Sequence, residues 1–135
     1  MDNFYDTANR MYKSSKILHQ AQEYHNACYL AGYVLECYAK IIVSIFGTNP
    51  PRSFGHNISN LDTELQNILG RDSSLSSYIL NGSSDFAQIL SKWNPVNLRY
   101  IASSNTLVEQ DSTNFQTEIE FAMEKLTQIQ IAYTL

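Results

Sequence analysis

The sequence predicts an all-α fold, an up-and-down bundle of four to five helices. Three observations carry this reading. Apolar residues recur at three- and four-residue steps through several long stretches, the period of an amphipathic helix. No stretch alternates apolar and polar residues in the way a half-buried strand would. The chain breakers are few and clustered: three prolines and five glycines in 135 residues, with Gly47, Pro50, Pro51 and Gly55 at one break, Gly70 and Gly82 at two more and Pro95 at a fourth.

The first helix is expected from about Asp2 to His19, with Phe4, Ala8, Met11, Ser15 and Leu18 along one stripe. Arg10, Lys13 and Lys16 form a short basic row on it, read either as a solvated face or as a contact for RNA or an acidic partner. The second helix, about Glu23 to Phe46, carries Ala27, Leu30, Ala31, Val34, Leu35, Tyr38, Ile41, Ile42 and Ile45. So wide an apolar arc marks the central, most buried helix, and Gly47 with Pro50-Pro51 stops it. The third, about Ser59 to Leu69, follows an Asn57 or Ser59 cap and ends at Gly70. Weaker helical patterns cover Ser74–Leu80 and Asp85–Leu90, and Lys92–Asn105 reads as irregular, anchored by Trp93 and Tyr100. The last helix, Ser112 to about Tyr133, has Phe115, Ile119, Ala122, Leu126, Ile129 and Tyr133 on one stripe, with Thr113 and Gln116 at capping-box spacing.

Length and composition set bounds. The whole chain, residues 1–135, is one domain's worth, and 44% hydrophobic with 16% charged residues is a globular composition. Net charge is −4; residues 1–56 carry five bases and four acids, residues 57–135 four bases and nine acids. That balance argues against a strongly basic nucleic-acid binder. Cys28 and Cys37, nine residues apart on one helix, would sit roughly 13 Å apart, too far to bridge. The N-terminus shows no secretory signal, and the apolar run Leu30–Phe46 contains Glu36 and Lys40, so neither export nor a membrane span is expected and a cytoplasmic location fits.

Chemistry concentrates on the second helix. Tyr29, Tyr33, Glu36 and Lys40 share one row, and Glu36 precedes Lys40 at the i, i+4 spacing that favours an ion pair. Charges inside so apolar a helix need partners or line a cleft. His25-x-x-Cys28, with His19 before it, has helical metal-ligand spacing, but no second cluster completes a four-ligand set, so no metal and no cofactor are expected. Glycine-rich phosphate loops and the serine-hydrolase elbow are absent. Tyr5, Tyr12, Tyr24, Tyr29 and Tyr33 crowd the first two helices, which suits an interface core and a homodimer.

The run CYLAGYVLECYAKIIVSIFG (28–47), then GHNISNLDTELQNIL (55–69), then WNPVNLRY (93–100) resembles HEPN domains, a class of small helical nucleotide-binding domains. The features that carry the likeness are Leu30, Gly32, Tyr33, Glu36 and Lys40, the Gly55-His56 opening of the third helix, and Trp93, Arg99 and Tyr100 before the last one. The resemblance implies one of two functions. Many members are metal-independent ribonucleases with an R-x4–6-H motif, often in toxin–antitoxin or antiviral defence systems. Others lack that motif and bind nucleotides, RNA or partner proteins, often of the nucleotidyltransferase type. This chain has no R-x4–6-H; Arg52-Ser-Phe-Gly-His56 is one residue short.

The expected function is therefore a non-catalytic HEPN-like module of a bacterial defence or toxin–antitoxin system, binding a nucleotide, RNA or a partner protein. Its groove would be lined by Tyr33, Glu36, Lys40, His56, Arg99 and Tyr100. Two alternatives stand beside it: a ribonuclease with a shifted motif, using His56 with Arg52 or Arg99, and a structural scaffold or inhibitor subunit. For Arg99 a pairing with Glu36 is expected, and for Tyr100 a packed ring with its hydroxyl outward.

Overall fold

The computed structural model describes residues 3–133, so the expected helix start at Asp2 lies outside the described residues. The protein is an all-α bundle, 82% helical and without strands among those residues. Four long helices build it: α1 (Phe4–Gln20), α2 (Tyr24–Phe46), α3 (Ile58–Arg71) and, last in the chain, α7 (Glu109–Tyr133). Three short ones, α4 (Gly82–Asp85), α5 (Ala87–Lys92) and α6 (Pro95–Tyr100), fill the crossing between α3 and α7.

α1 and α2 form an antiparallel hairpin. The turn is a Schellman motif: the Gln22 amide bonds the His19 carbonyl at 3.0 Å and the Glu23 amide the Leu18 carbonyl at 2.8 Å. Gln22 takes the left-handed position, φ 65°, that glycine usually fills. α7 lies antiparallel along α1, since Tyr12 meets Glu120, Ser15 meets Gln116 and His19 meets Ser112.

α2 is the centre of the molecule, as its wide apolar arc predicts. Ala27, Cys28, Ala31, Val34, Tyr38 and Ile42 are fully buried. By length and composition α2 could cross a membrane, but 67% of that apolar window is buried inside the bundle. Leu61 and Leu65 from α3, and Phe115, Ile119 and Ile129 from α7, close around it. Burial of such side chains stabilises a fold by roughly 1.5–3 kcal/mol each.

Four element boundaries differ from expectation. Gly70 lies inside α3, which continues to Arg71 and is capped by Asp72; one glycine costs about 1 kcal/mol, and the buried Leu61, Leu65 and Ile68 before it hold the helix against that cost. The stretch expected to be irregular holds α6, started by an Asn94 cap and Pro95 at its first turn. α7 begins at Glu109, three residues early, because Val108 and Asp111 make the cap: the Val108 amide donates to Asp111 Oδ2 at 2.9 Å. Thr113 and Gln116 are therefore mid-helix, and Gln116 instead reaches Ser15 at 2.8 Å. Lastly, residues 73–77 form a 3₁₀ turn in place of the expected helix, its start capped by Asp72.

Candidate functional site

Glu36 is the hub. Its carboxylate is 7% exposed, inside the most apolar helix of the chain, and accepts two hydrogen bonds. Oε2 takes Lys40 Nζ at 3.3 Å, and Oε1 takes His56 Nδ1 at 2.7 Å. Lys40 is itself buried, with its ammonium 6.0 Å from the centre of the Phe4 ring. A charge so placed needs its partner, because removing one member of a buried pair costs about 3–5 kcal/mol.

The chain bends sharply to bring His56 there. After Pro50-Pro51 a 3₁₀ turn (Pro51–Phe54) leads into Gly55, whose φ of 56° and ψ of −129° suit only glycine. His56 then folds back over α2, and Asn57 caps α3 by accepting the Asn60 amide at 2.9 Å. Because a carboxylate only accepts, His56 Nδ1 carries the hydrogen of the Glu36 bond. Its Nε2 has no partner among the described residues, and the side chain is 56% exposed.

Aromatic rings set the back wall. Tyr33 meets His56, Tyr29 and Trp93 edge-on, with centroids 5.7, 5.5 and 4.9 Å away. Trp93 is buried, its Nε1 donating to the Tyr29 carbonyl at 2.9 Å. It fits only because residue 32 is glycine: a Cβ there would lie 2.0 Å from the indole. Burial, with the Tyr29 hydroxyl bond next, pushes the Tyr33 phenol up to about 12.

Beside this wall opens a cleft of about 430 Å³, between the start of α3 and the α5–α6 corner. His56, Asn57, Ser59, Ser91 and Asn94 supply its polar lining, and Ile58, Leu90, Trp93, Pro95 and Val96 the rest. No acidic side chain lines it. Asn57 and Asn94 spend their carbonyl oxygens capping α3 and α6, which leaves their amide NH₂ groups to donate. Ile58 and Ser59 are in the first turn of α3, where amides have no acceptor within the helix.

The residues expected to share one groove are thus divided. Tyr33, Glu36, Lys40 and His56 come together, but Glu36 and Lys40 are buried and are not among the side chains that line the cleft described above. Arg99 does not pair with Glu36, which Lys40 and His56 already satisfy. It donates twice to the Tyr29 hydroxyl, at 2.6 and 3.0 Å. Burial raises the Tyr29 phenol, but the bonds from Tyr33 and Arg99 outweigh it and leave it below the usual tyrosine range. Tyr100 is 78% exposed, so its ring is not packed as expected. Arg52 stands exposed on the 3₁₀ turn, its guanidinium without a hydrogen bond or ion pair among the described residues.

The His-Cys metal spacing dissolves on inspection. His25 bonds the backbone at Leu98 and Leu107, and His19 bonds Ser112. Cys28 is buried, which pushes its thiol up to about 12. Among the described residues no group of three His, Cys, Asp or Glu could hold a metal ion. Reasoning from sequence missed Asn57 and Asn94 as cleft donors; the Asn94-Pro95 pair, a cap followed by a first-turn proline, was the available signal. It also missed Tyr29 as the partner of Arg99, a contact spanning 70 residues. No protein-family model matches the chain, and neither does any curated protein or any solved structure.

Proposed function

We propose that this protein is a HEPN-like binding module whose cleft takes the phosphate of a nucleotide or of an RNA end. One observation carries the reading. A buried, Lys40-paired Glu36 holds His56 by Nδ1, and His56, its Nε2 unbonded among the described residues, lines a cleft with Asn57, Ser59, Ser91 and Asn94 and with no acid among the described residues. Side-chain amides and first-turn helix amides suit a phosphate, and His56 joins them in its imidazolium form, donating from Nε2 while Nδ1 stays on Glu36. The resemblance of the second-helix and Gly55-His56 segments to HEPN domains points the same way. In this reading the module works in the cytoplasm, as a homodimer or beside a nucleotidyltransferase-type partner, in a bacterial defence or toxin–antitoxin system.

Trp93 is the only tryptophan and lines the cleft, so its fluorescence reports occupancy. Titration with AMP, ATP and a 5′-phosphorylated oligoribonucleotide is expected to give a saturable change for at least one. His56→Ala should weaken that binding about tenfold or more, the loss of one charge-assisted contact. No saturable change with any of the three, or equal binding by the variant, would sink the proposal.

The shifted-motif ribonuclease has one observation in its favour: fixing Nδ1 leaves Nε2 placed as a general base or acid would be. RNA cleavage with EDTA present, by the native protein and not by His56→Ala, would establish it. Equal cleavage by both would remove it.

A further inference from the structure

The segment between α5 and α7 is a strap laid over the start of α2. From Asn94 to Val108 only Pro95 and Leu98 are buried. A single imidazole holds it at two points. His25, in the first turn of α2, has Nε2 2.8 Å from the Leu98 carbonyl on α6. Its Nδ1 lies 3.1 Å from the Leu107 amide, nine residues further on. A carbonyl only accepts and a backbone amide only donates. The ring is therefore the neutral tautomer with its hydrogen on Nε2, and the Nδ1 lone pair receives the Leu107 N–H. An imidazolium donates from both nitrogens, so it can keep the first bond and never the second.

The charged groups nearby are committed elsewhere. Arg99, next to Leu98, is turned to Tyr29. Asp111 at the start of α7 is taken by Lys92 and the Val108 amide. Glu109 lies against the Tyr24 hydroxyl, and Glu23 is exposed at the cap of His25's own helix. None of them hydrogen-bonds the imidazole.

We propose that His25 is the catch of an acid-released strap. Protonation at Nδ1 breaks the bond to the Leu107 amide and loosens the span from Ile101 to Leu107, while Val108 stays fixed to Asp111. α6 stays moored, because Arg99 on Tyr29 and Trp93 in its Gly32 notch need no neutral imidazole. The device thus loosens a surface segment while the bundle stays folded. It does not depend on what the cleft binds.

Hydrogen exchange read by mass spectrometry, corrected for intrinsic rates, tests it. Going from about pH 7.5 to about pH 5.5, protection of the 101–107 amides, Leu107 above all, is expected to fall about tenfold, with α3 and α7 unchanged. His25→Gln keeps one donor and one acceptor without a titrating proton, and its strap protection should not change with pH. Native protection that ignores pH overturns the proposal. So does the same pH response in His25→Gln, which would move the proton to His19, His56 or a carboxylate. Should that variant not fold, nitrogen NMR of the native ring decides. The Nε2–H tautomer is expected at neutral pH, with the Leu107 amide shift following the titration of His25. The Nδ1–H tautomer, or an indifferent Leu107 amide, refutes it.

Discussion

Gly32 shows how much one missing side chain can decide. The Trp93 indole occupies the space where its Cβ would be, 2.0 Å from the nearest ring atoms, and both neighbours are held by backbone. Gly32→Ala should therefore destabilise by about 1–3 kcal/mol, as overpacking does, and shift Trp93 emission to the red; urea unfolding followed at Trp93 checks both. A fully native midpoint would show that the indole can move aside freely. The sequence pointed to Trp93 as an anchor and Gly32 as part of the resembled motif, but nothing in the chain says that they touch. The same division runs through the candidate site. The favourable spacing of Glu36 and Lys40 was legible, but the choice between Lys40 and Arg99 as the partner of Glu36 was made by the tertiary structure. The Glu36–His56 bond was not legible, because it depends on how Gly55 turns the chain.

Among the elements, helices with strong periodicity came out close to where expected, and the start of α7 moved because a side chain made its cap. α7 is the clearest case. Asp111 sits 2.7 Å from Lys92 of α5 and accepts the Val108 amide, so it joins two helices and starts one of them. Burial raises its carboxyl, yet Lys92 and that amide outweigh burial and hold it below the usual carboxylate range. A lowered acid contributes stability that is present above its unfolded value and lost as pH falls through its folded one. Asp111→Asn should therefore be less stable than the native protein at neutral pH, with the gap closing below about pH 4. Thermal melts at a series of pH values check this, and a gap that persists at low pH would assign the effect to something other than the charge. On the other side of the cleft, α5 is capped by Glu118 from α7, whose oxygens accept the Gln88 and Ile89 amides at 2.9 and 2.8 Å. Neither cap is written in local sequence, since each uses an acid on another helix or a register that the apolar stripe does not reveal.

At the scale of the whole molecule, α2 sets the order of stability. Residues 31–43 are buried almost without a break, whereas two thirds of the strap at 94–108 is exposed. Native-state hydrogen exchange should show the α2 amides opening only with global unfolding, about 5–15 kcal/mol for a domain of this size, and the strap opening well below that. Equal protection in both would mean that the strap is part of the cooperative core. Tyr38 illustrates why the core extends past the long helices. Its buried hydroxyl donates to the Tyr78 carbonyl at 2.6 Å and accepts the Leu80 amide at 2.8 Å. The crossing between α3 and α4 is thereby stitched to α2.

By itself the sequence determined the all-α class, the central place of α2, the faces of α1, α3 and α7, and the one-turn spacing of Glu36 and Lys40, though not whether Lys40 or Arg99 pairs with Glu36. All of these follow from side-chain period within one helix, a local property that water sorts by hydrophobicity. The tertiary structure alone decided that Glu36 holds His56, that Arg99 belongs to Tyr29, and that His25 fastens a strap. Those contacts join residues 20 to 82 positions apart. They depend on where loops turn and which caps form, and a hydrogen bond lost or gained there costs only about 1 kcal/mol, too little to leave a pattern along the chain.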